Sequence, residues 1–174
     1  MEIKQWGKLI LSFYKYLESS INAIDKYVLN KCLNTSYYDK ANPLNILKRV
    51  DKVNEFIDKK RRFLNLKVII QDAIIKMPSK YQRQLVLEYF DGVCADEQAN
   101  LFGVNVRTIF RYKKMALASF ASALTRLGYN SQYFQENYNN EVELFTSFGE
   151  YNKNIEKDFT NFRLAKELLD EYVV

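Results

Sequence analysis

Four side chains that can contact a DNA base edge or a phosphate lie close together in the sequence. They are Arg107, Thr108, Arg111 and Lys114. On an α-helix the three cations fall within about 60° of one another, with the threonine at their flank. Arginine presents two parallel donors to O6 and N7 of guanine, threonine meets a thymine methyl or a polar partner, and lysine mainly supplies charge to phosphates. The spacing predicts a reading face for the major groove of double-stranded DNA, with Arg107 and Arg111 as base-reading residues.

The elements around this face have the order of a helix-turn-helix. The turn is Phe102-Gly103-Val104-Asn105, in which the glycine can adopt a positive φ and the asparagine can cap the following helix. We predict a short helix over residues 94–102 before this turn. A long basic helix runs from Val106 to Leu127 after it and ends at Gly128, a residue type common just past helix ends. The side of this helix opposite the cations is apolar and is predicted to pack on the core.

Further residues near the reading face are candidates for contacts with the DNA backbone. They are Arg83, Asn105, Lys113 and Arg126. For Asn105 the role of helix cap is favoured over a DNA contact. Tyr112 either donates to a phosphate or packs at the edge of the face, and packing is favoured. An exposed basic helix without a special role is the alternative for the whole face, but turn chemistry, helix length and charge placement together favour DNA binding.

Charge is distributed unevenly along the 174-residue chain. Residues 1–134 contain 22 Lys or Arg against 12 Asp or Glu, whereas residues 135–174 contain four against nine. A basic body followed by an acidic end suits a polyanionic partner for the body. A general contribution of lysine to solubility explains the positive charge equally well. The charge distribution alone therefore does not decide between a polyanionic partner and a role in solubility.

The residue inventory excludes several kinds of chemistry. Histidine is absent, which excludes Ser-His-Asp triads and imidazole zinc sites. Cys32 and Cys94 are far apart and predict neither a metal pair nor a disulfide, which indicates a reduced, cytoplasmic setting. Acidic pairs such as Asp96 with Glu97 have ordinary surface spacing. The apolar run at residues 9–13 is too short for a signal peptide or a membrane span. We therefore expect no enzymatic activity, no cofactor, no metal and no membrane association.

Two long helices are predicted before the DNA-binding segment. Residues 1–33 form an amphipathic helix whose apolar stripe packs on the rest of the chain or on a second subunit, and the chain's own core is favoured. After a loop at residues 34–43, residues 44–77 form a basic helical region, either one helix or two broken near residue 62. The cations Lys59-Lys60-Arg61-Arg62 within it contact phosphates or form a solvated helix face.

The remaining domains follow from composition and periodicity. Residues 78–128 form the predicted DNA-binding domain, and residues 129–174 form an acidic aromatic C-terminal extension. Within this extension, residues 129–149 have no clear period and predict a loosely ordered connection with one short helix, and residues 151–173 predict a terminal helix. We therefore predict an all-α fold in which a helix-turn-helix domain carries long N-terminal and C-terminal helical extensions.

The order of residues in the helix-turn-helix resembles region 4 of bacterial sigma-70-type factors. The similarity runs from Met77-Pro78 through YQRQLVLEYFDG and ADEQANLFGVNVRTIFRYKKMALASF. The segment RTIFRYKKMAL is more similar to phage late-gene activators of the ArpU/RinA type. The resemblance covers about residues 70–127 and implies binding to promoter DNA, with RNA polymerase as a second partner. It assigns to the recognition helix Asn105, Arg107, Thr108, Arg111 and Lys114.

Two residues depart from the family pattern. Cys94 stands where the pattern has a Ser or Thr N-cap, and Glu97 three residues later remains as the other half of a capping box. Gln98 stands where an apolar residue is usually buried. We therefore expect the first helix of the helix-turn-helix to be packed less tightly or used differently.

These patterns predict a sequence-specific DNA-binding transcription regulator of phage origin, with residues 106–127 in the major groove. A homo-oligomer formed through the terminal helices is expected, because one recognition helix reads only a few base pairs. Two alternatives remain. The same DNA-binding face can serve an adaptor for phage DNA packaging or recombination, or the chain can be a sigma-like module that binds RNA polymerase.

Overall fold

The computed structural model describes residues 1–38 and 43–147. These residues are mostly helical and contain no β-strand, so the predicted all-α fold class is confirmed. In the same ranges, no helix is both long enough and apolar enough to cross a bilayer. A 3₁₀ turn at Asn139–Glu141 and a helical stretch at residues 142–147 follow the last α-helix. The α-helices are α1 (Ile3–Tyr38), α2 (Pro43–Ile75), α3 (Ser79–Leu85), α4 (Ala95–Phe102), α5 (Val106–Arg126) and α6 (Ser131–Tyr138).

The two longest helices, α1 and α2, form an antiparallel pair. Near one end, Gln71 Nε2 donates a hydrogen bond to the hydroxyl of Tyr14 at 3.0 Å. Further along, the rings of Tyr27 and Phe56 lie with their centroids 4.3 Å apart. Residue numbers therefore rise along α1 while they fall along α2. Because α2 is continuous, the region predicted as one helix or two is one helix.

The loop predicted over residues 34–43 is wrong at both of its ends. α1 continues through Tyr38, and α2 already begins at Pro43. Asn and Ser are weak helix formers, but the preference of a single residue amounts to only a few tenths of a kcal/mol, about 0.7 at most, and a long established helix outweighs it. Proline suits the first turn of α2, where its missing N–H would have no helical partner. The rest of the predicted loop, residues 39–42, lies outside the described residues.

The apolar face of α1 supplies the centre of the core. The ring of Phe13 lies 5.5 Å from that of Phe63 on α2 and 4.6 Å from that of Phe145 in the last helical stretch. Nearer the N-terminus, Trp6 stacks on Phe134 of α6 at 5.7 Å. All five side chains are almost completely buried. Of the two partners predicted for the α1 stripe, the structure shows the chain's own core.

The helix predicted over residues 79–90 changes character halfway along. It is α-helical to Leu85 and continues as a π-helical turn, Val86–Phe90. In this turn the N–H of Asp91 donates to a carbonyl oxygen five residues earlier, at 3.0 Å, so the helix is wider than an α-helix. The ring at the end of the turn, Phe90, stacks on Tyr14 at 3.9 Å between centroids. The π turn therefore docks this segment onto α1.

The short helix predicted within residues 129–149 is α6, but the prediction that this segment is loosely ordered is wrong for its described part. Phe134, Tyr138 and Phe145 are completely buried in the core. The hydroxyl of Tyr138 donates to the backbone carbonyl of Arg62 at 3.1 Å. Aromatic residues that show no clear helical period over a long segment can therefore still pack in the core, because the segment folds as several short helical elements. The predicted terminal helix at residues 151–173 lies outside the described residues.

Candidate nucleic-acid interface

The turn between α4 and α5 has the backbone geometry that the sequence predicts. Gly103 ends α4 with a φ of +62°, a left-handed conformation that glycine adopts at little cost. The N–H of Val104 then donates to the carbonyl of Ala99 at 3.0 Å, which pairs one of the last helical acceptors. Asn105 caps α5, since its Oδ1 accepts a hydrogen bond from the N–H of Arg107 at 2.8 Å. The turn thus fixes the start of α5 relative to α4.

Four of the predicted DNA-contacting residues surround one concave depression at the start of α5. The depression has a volume of about 300 Å³. It is lined by Asn105, Arg107, Thr108 and Arg111. Asn105, Arg107 and Arg111 are exposed, Thr108 is half-buried, and Lys114 is exposed one turn beyond Arg111. The structure therefore brings the predicted base-reading residues together on one accessible surface.

The opposite face of α5 is buried, as the sequence predicts. Ile109, Ala116 and Phe120 are at most 2% exposed. Through this face and its neighbours, α5 packs against α1, α3 and α4. Because the buried face is fixed by the core, the cationic face points away from it.

The cations of the reading face form no ion pair with a carboxylate of the described residues. These cations are Arg107, Arg111 and Lys114. Their charges therefore add to one another at the surface of α5. A concentration of like charge of this kind attracts a polyanion and speeds its association.

Two cations from α3 are held against aromatic rings next to α5. Lys80 Nζ lies 3.8 Å from the ring centroid of Tyr112, and the guanidinium carbon of Arg83 lies 5.1 Å from that of Phe102. The two rings meet edge to face at 6.4 Å. Tyr112 therefore packs at the edge of the face, as favoured from the sequence. A hydrogen bond with Lys80 also lowers the pKa of the Tyr112 phenol.

Lys80 is a candidate phosphate contact that the sequence did not indicate. A cation over a ring is held in position while it keeps its charge, because the ring attracts it without neutralising it. The ring in question, Tyr112, lies 32 positions further along the chain. No local pattern joins two residues at that separation, so only the packing of α3 on α5 shows the pair.

The predicted backbone contacts Lys113 and Arg126 are engaged within the protein. Lys113 forms an ion pair with Glu88 of the π turn and lies 5.8 Å from the ring centroid of Tyr89. Arg126 donates to the backbone carbonyl of Lys76 at 3.3 Å. These contacts tie α5 to the segments before it. A role of either residue in DNA binding stays a prediction.

Polar side chains position α4. Gln98 is 2% exposed and accepts a hydrogen bond from Nε2 of Gln84 at 2.5 Å. Its own Nε2 donates to the carbonyl of Val93 at 2.6 Å. At the start of α4, the N–H of Cys94 donates to the carboxylate of Glu97 at 3.3 Å, which is the predicted half of the capping box. Gln98 is therefore buried with hydrogen-bond partners, and these bonds specify how α4 packs on α3.

The other cationic cluster, Lys59–Arg62 on α2, is used inside the protein. Burial lowers the pKa of Lys59 from its ordinary value. The three remaining cations form ion pairs with carboxylates of α1, α2 and the 3₁₀ turn. These pairs are Lys60–Asp25 at 2.5 Å, Arg61–Asp58 at 3.1 Å and Arg62–Glu141 at 2.6 Å. Lys60 and Arg62 therefore join α2 to α1 and to the 3₁₀ turn, whereas Arg61 pairs within α2 and is exposed. The cluster is thus not purely a solvated face, and a phosphate contact by it stays a prediction.

Comparisons of the chain with protein-family models, with curated proteins and with solved structures found no match. Within the described residues, no group of three or more Cys, Asp or Glu side chains is arranged to hold a metal ion. The functional conclusion therefore depends on the geometry of α4, the turn and α5.

Proposed function

We propose that this protein is a sequence-specific DNA-binding transcription regulator whose helix-turn-helix places α5 in the major groove. The observation that carries the proposal is the exposed depression at the start of α5. It joins Asn105, Arg107, Thr108 and Arg111 directly after a tight glycine turn. The first residues of a recognition helix are the ones that reach base edges, and the major groove is about 12 Å wide, enough to admit a helix.

Each side chain of this surface has a distinct role in the proposed complex. Arg107 and Arg111 donate paired hydrogen bonds to guanine, and Thr108 contacts a neighbouring base at the flank. Lys114 contacts phosphates on one side of the groove. Lys80 and Arg83, which are held on aromatic rings, contact phosphates on the side of α3. Base contacts would thus come from α5, and backbone contacts from both sides of it.

The likeness to region 4 of sigma factors and to ArpU/RinA-type activators supports promoter DNA as the target and a phage origin. Bidentate arginine contacts discriminate between bases, which a promoter-specific regulator requires.

Selection from a random pool of double-stranded DNA tests the proposal with the full chain. We expect an enriched site that contains guanine at the positions read by Arg107 and Arg111. In a mobility-shift titration on that site, affinity should fall steeply as salt rises, because phosphate contacts release counterions. An unenriched pool, or binding that does not weaken with salt, would refute DNA recognition by α5.

Binding to RNA polymerase is a second candidate function, and it is favoured by exposed apolar side chains on α4 and α5. Leu101 is 54% exposed and Phe110 is 58% exposed, which suits a protein partner. Footprinting of promoter DNA with and without polymerase separates the two functions. Protection that requires polymerase and is lost in Phe110→Ser would support the interaction role, whereas equal protection without polymerase would leave DNA binding alone as the function.

A further inference from the structure

One side of α2 carries a row of exposed, large apolar side chains. The row consists of Val50, Ile57, Leu64, Val68 and Ile75. We call this row the outer stripe, and its members are between 40% and 69% exposed. At 3.6 residues per turn, the five side chains lie within about 40° of one another around the helix. Leu66, Ile70 and Ala73 lie on the opposite side of α2 and are completely buried. The outer stripe therefore faces away from the chain's own core.

The outer stripe has the spacing of a seam between two helices. Its first three members are seven residues apart, and its last two are also seven apart. From Val50 to Ile75 it continues for more than three heptads, or about 38 Å of helix. Single exposed apolar residues are common on protein surfaces. Five in one row along a helix are instead typical of a helix–helix interface, in which each apolar side chain packs as a knob between side chains of the other helix.

The apolar positions of the outer stripe match one another in an antiparallel pair. Residues at equal distances from a two-fold axis face each other in such a pair. With the axis between residues 62 and 63, Val50 of one copy faces Ile75 of the other, and Ile57 faces Val68. The two-fold axis repeats each of these contacts, so the interface contains four apolar pairs. Each pair consists of two branched aliphatic side chains, one from each copy.

The polar positions along the seam match on the same axis. Asn54 faces Gln71, whose Nε2 donates to Tyr14 of its own chain and whose Oε1 can accept a hydrogen bond from the Asn54 amide of the other copy. Leu64 faces Arg61, whose charge is already paired with Asp58 at 3.1 Å and whose aliphatic stem can cover the leucine. A parallel, in-register pair would instead bring Arg61 against the same arginine of the other copy, and like charges disfavour that arrangement. An in-register parallel pair would also place each apolar residue of the outer stripe against its own copy, so it is the charge of Arg61 that favours the antiparallel pair.

We propose that the outer stripe binds a second copy of this chain, with α2 packed against α2 in an antiparallel, two-fold arrangement. The interface differs from the terminal helices predicted from the sequence, because the apolar face of α1 is buried in the chain's own core. It does not depend on DNA binding and is therefore tested without DNA. A dimer of this kind carries two reading faces.

Light scattering and sedimentation of the full chain over a range of concentrations test the interface. We expect a dimer, and we expect Ile57→Glu with Val68→Glu to give a monomer with unchanged helical circular dichroism. Leu29→Glu is the matched control, since Leu29 is 59% exposed on α1 and lies outside the outer stripe. This control should remain dimeric. A monomeric wild type, a ring-sized assembly, or a double variant that stays dimeric would overturn the proposal.

Disulfide cross-linking tests the orientation of the two copies. Asn54→Cys and Gln71→Cys are placed in separate chains in which Cys32 and Cys94 are replaced by Ser. Mixed under oxidising conditions, the two variants should cross-link to each other in preference to themselves. Preferential cross-linking of Asn54→Cys with itself would indicate a parallel pair and overturn the antiparallel assignment.

Removal of residues 148–174 tests whether this segment, rather than a second copy, covers the outer stripe. If the full chain is a monomer and the shortened chain is a dimer, the segment covers the outer stripe, and the proposal for the full chain is overturned.

Discussion

Two groups of cations on this protein have similar composition and very different surroundings. The cluster at Lys59–Arg62 on α2 pairs with carboxylates from three parts of the chain. The reading face of α5 exposes Arg107, Arg111 and Lys114, and within the described part of the chain no carboxylate pairs with them. The denser run of positive charge is thus the one in which Lys60, Arg61 and Arg62 have carboxylate partners. Neighbouring carboxylates, rather than the number of cations in a row, decide which group is available to a polyanion.

The two groups also differ in what their charges do for folding. Glu141 is 3% exposed, and a buried carboxylate without a cation is strongly unfavourable, so Arg62 is required by the fold. The cations of α5 are at the surface, where water solvates them and removal of one changes stability little. Substitutions in the two groups should therefore separate stability from DNA binding.

Arg62→Met should have the largest effect on stability. It leaves the buried carboxylate of Glu141 without its partner, which in a fully buried pair costs about 3–5 kcal/mol. Because the Arg62 side chain is 36% exposed and the charge of Lys59 also acts on Glu141, we expect about 2–4 kcal/mol. Denaturant unfolding measures the change, and adding Glu141→Gln should recover part of it because the buried charge is gone. A loss below about 1 kcal/mol, the range of surface pairs, would show that the pair is not structural.

Arg111→Ala should have the largest effect on DNA recognition. Loss of a bidentate contact to guanine is expected to weaken binding to the selected site by about 1–3 kcal/mol and to relax specificity at one position. Unfolding free energy should change by less than about 0.5 kcal/mol, since the side chain is exposed. Fluorescence anisotropy on the selected site and on a scrambled site measures both affinities. An equal loss on the two sites would assign Arg111 to the DNA backbone instead.

Lys114→Ala should weaken binding to all DNA sequences alike. A lysine that contacts a phosphate contributes charge without base discrimination, so the slope of log affinity against log salt should fall by about one unit. Titrations at several salt concentrations on the selected and scrambled sites provide the measurement. A loss confined to the selected site would instead indicate that Lys114 reads a base.

Lys60→Ala should have the smallest effect. Its pair with Asp25 lies at the surface, with the two side chains 32% and 51% exposed, and pairs of this kind contribute about 0.2–1 kcal/mol. Stability should fall within that range, and DNA affinity should not change. A clear loss of DNA affinity in this variant would mean that the α2 cluster also contacts the nucleic acid.

Local rules predicted much of the candidate site from the sequence. The positive φ of Gly103, the cap made by Asn105 and the start of α5 at Val106 all depend on a few adjacent residues. The exposed and buried faces of α5 follow from helical periodicity, which is also a local property. The placement of Arg107 and Arg111 on one exposed face was therefore predictable from the order of residues alone.

The features that the sequence missed depend on residues far apart in the chain. Arg62 and Glu141 are 79 positions apart, and Lys80 meets Tyr112 only because α3 packs on α5. The burial of Phe134 has the same origin, since α6 finds its place against Trp6 of α1. Periodicity detected the apolar residues of α2, but it could not show which of them face solvent, because that depends on where α1 and α5 pack.

A comparison of two double variants tests directly whether the reading face of α5 recognises DNA. The two variants have the same net charge, so a difference in affinity between them reflects the position of the removed charges. Arg107→Ala with Arg111→Ala and Lys60→Ala with Lys67→Ala each remove two positive charges from the full chain, and both lysines of the α2 variant form surface pairs with carboxylates of α1. On the selected DNA site, we expect the α5 variant to lose at least tenfold in affinity, about 1.4 kcal/mol or more, and the α2 variant to bind as the wild type does. Equal losses in the two variants, or an α5 variant that binds normally, would contradict DNA recognition by α5.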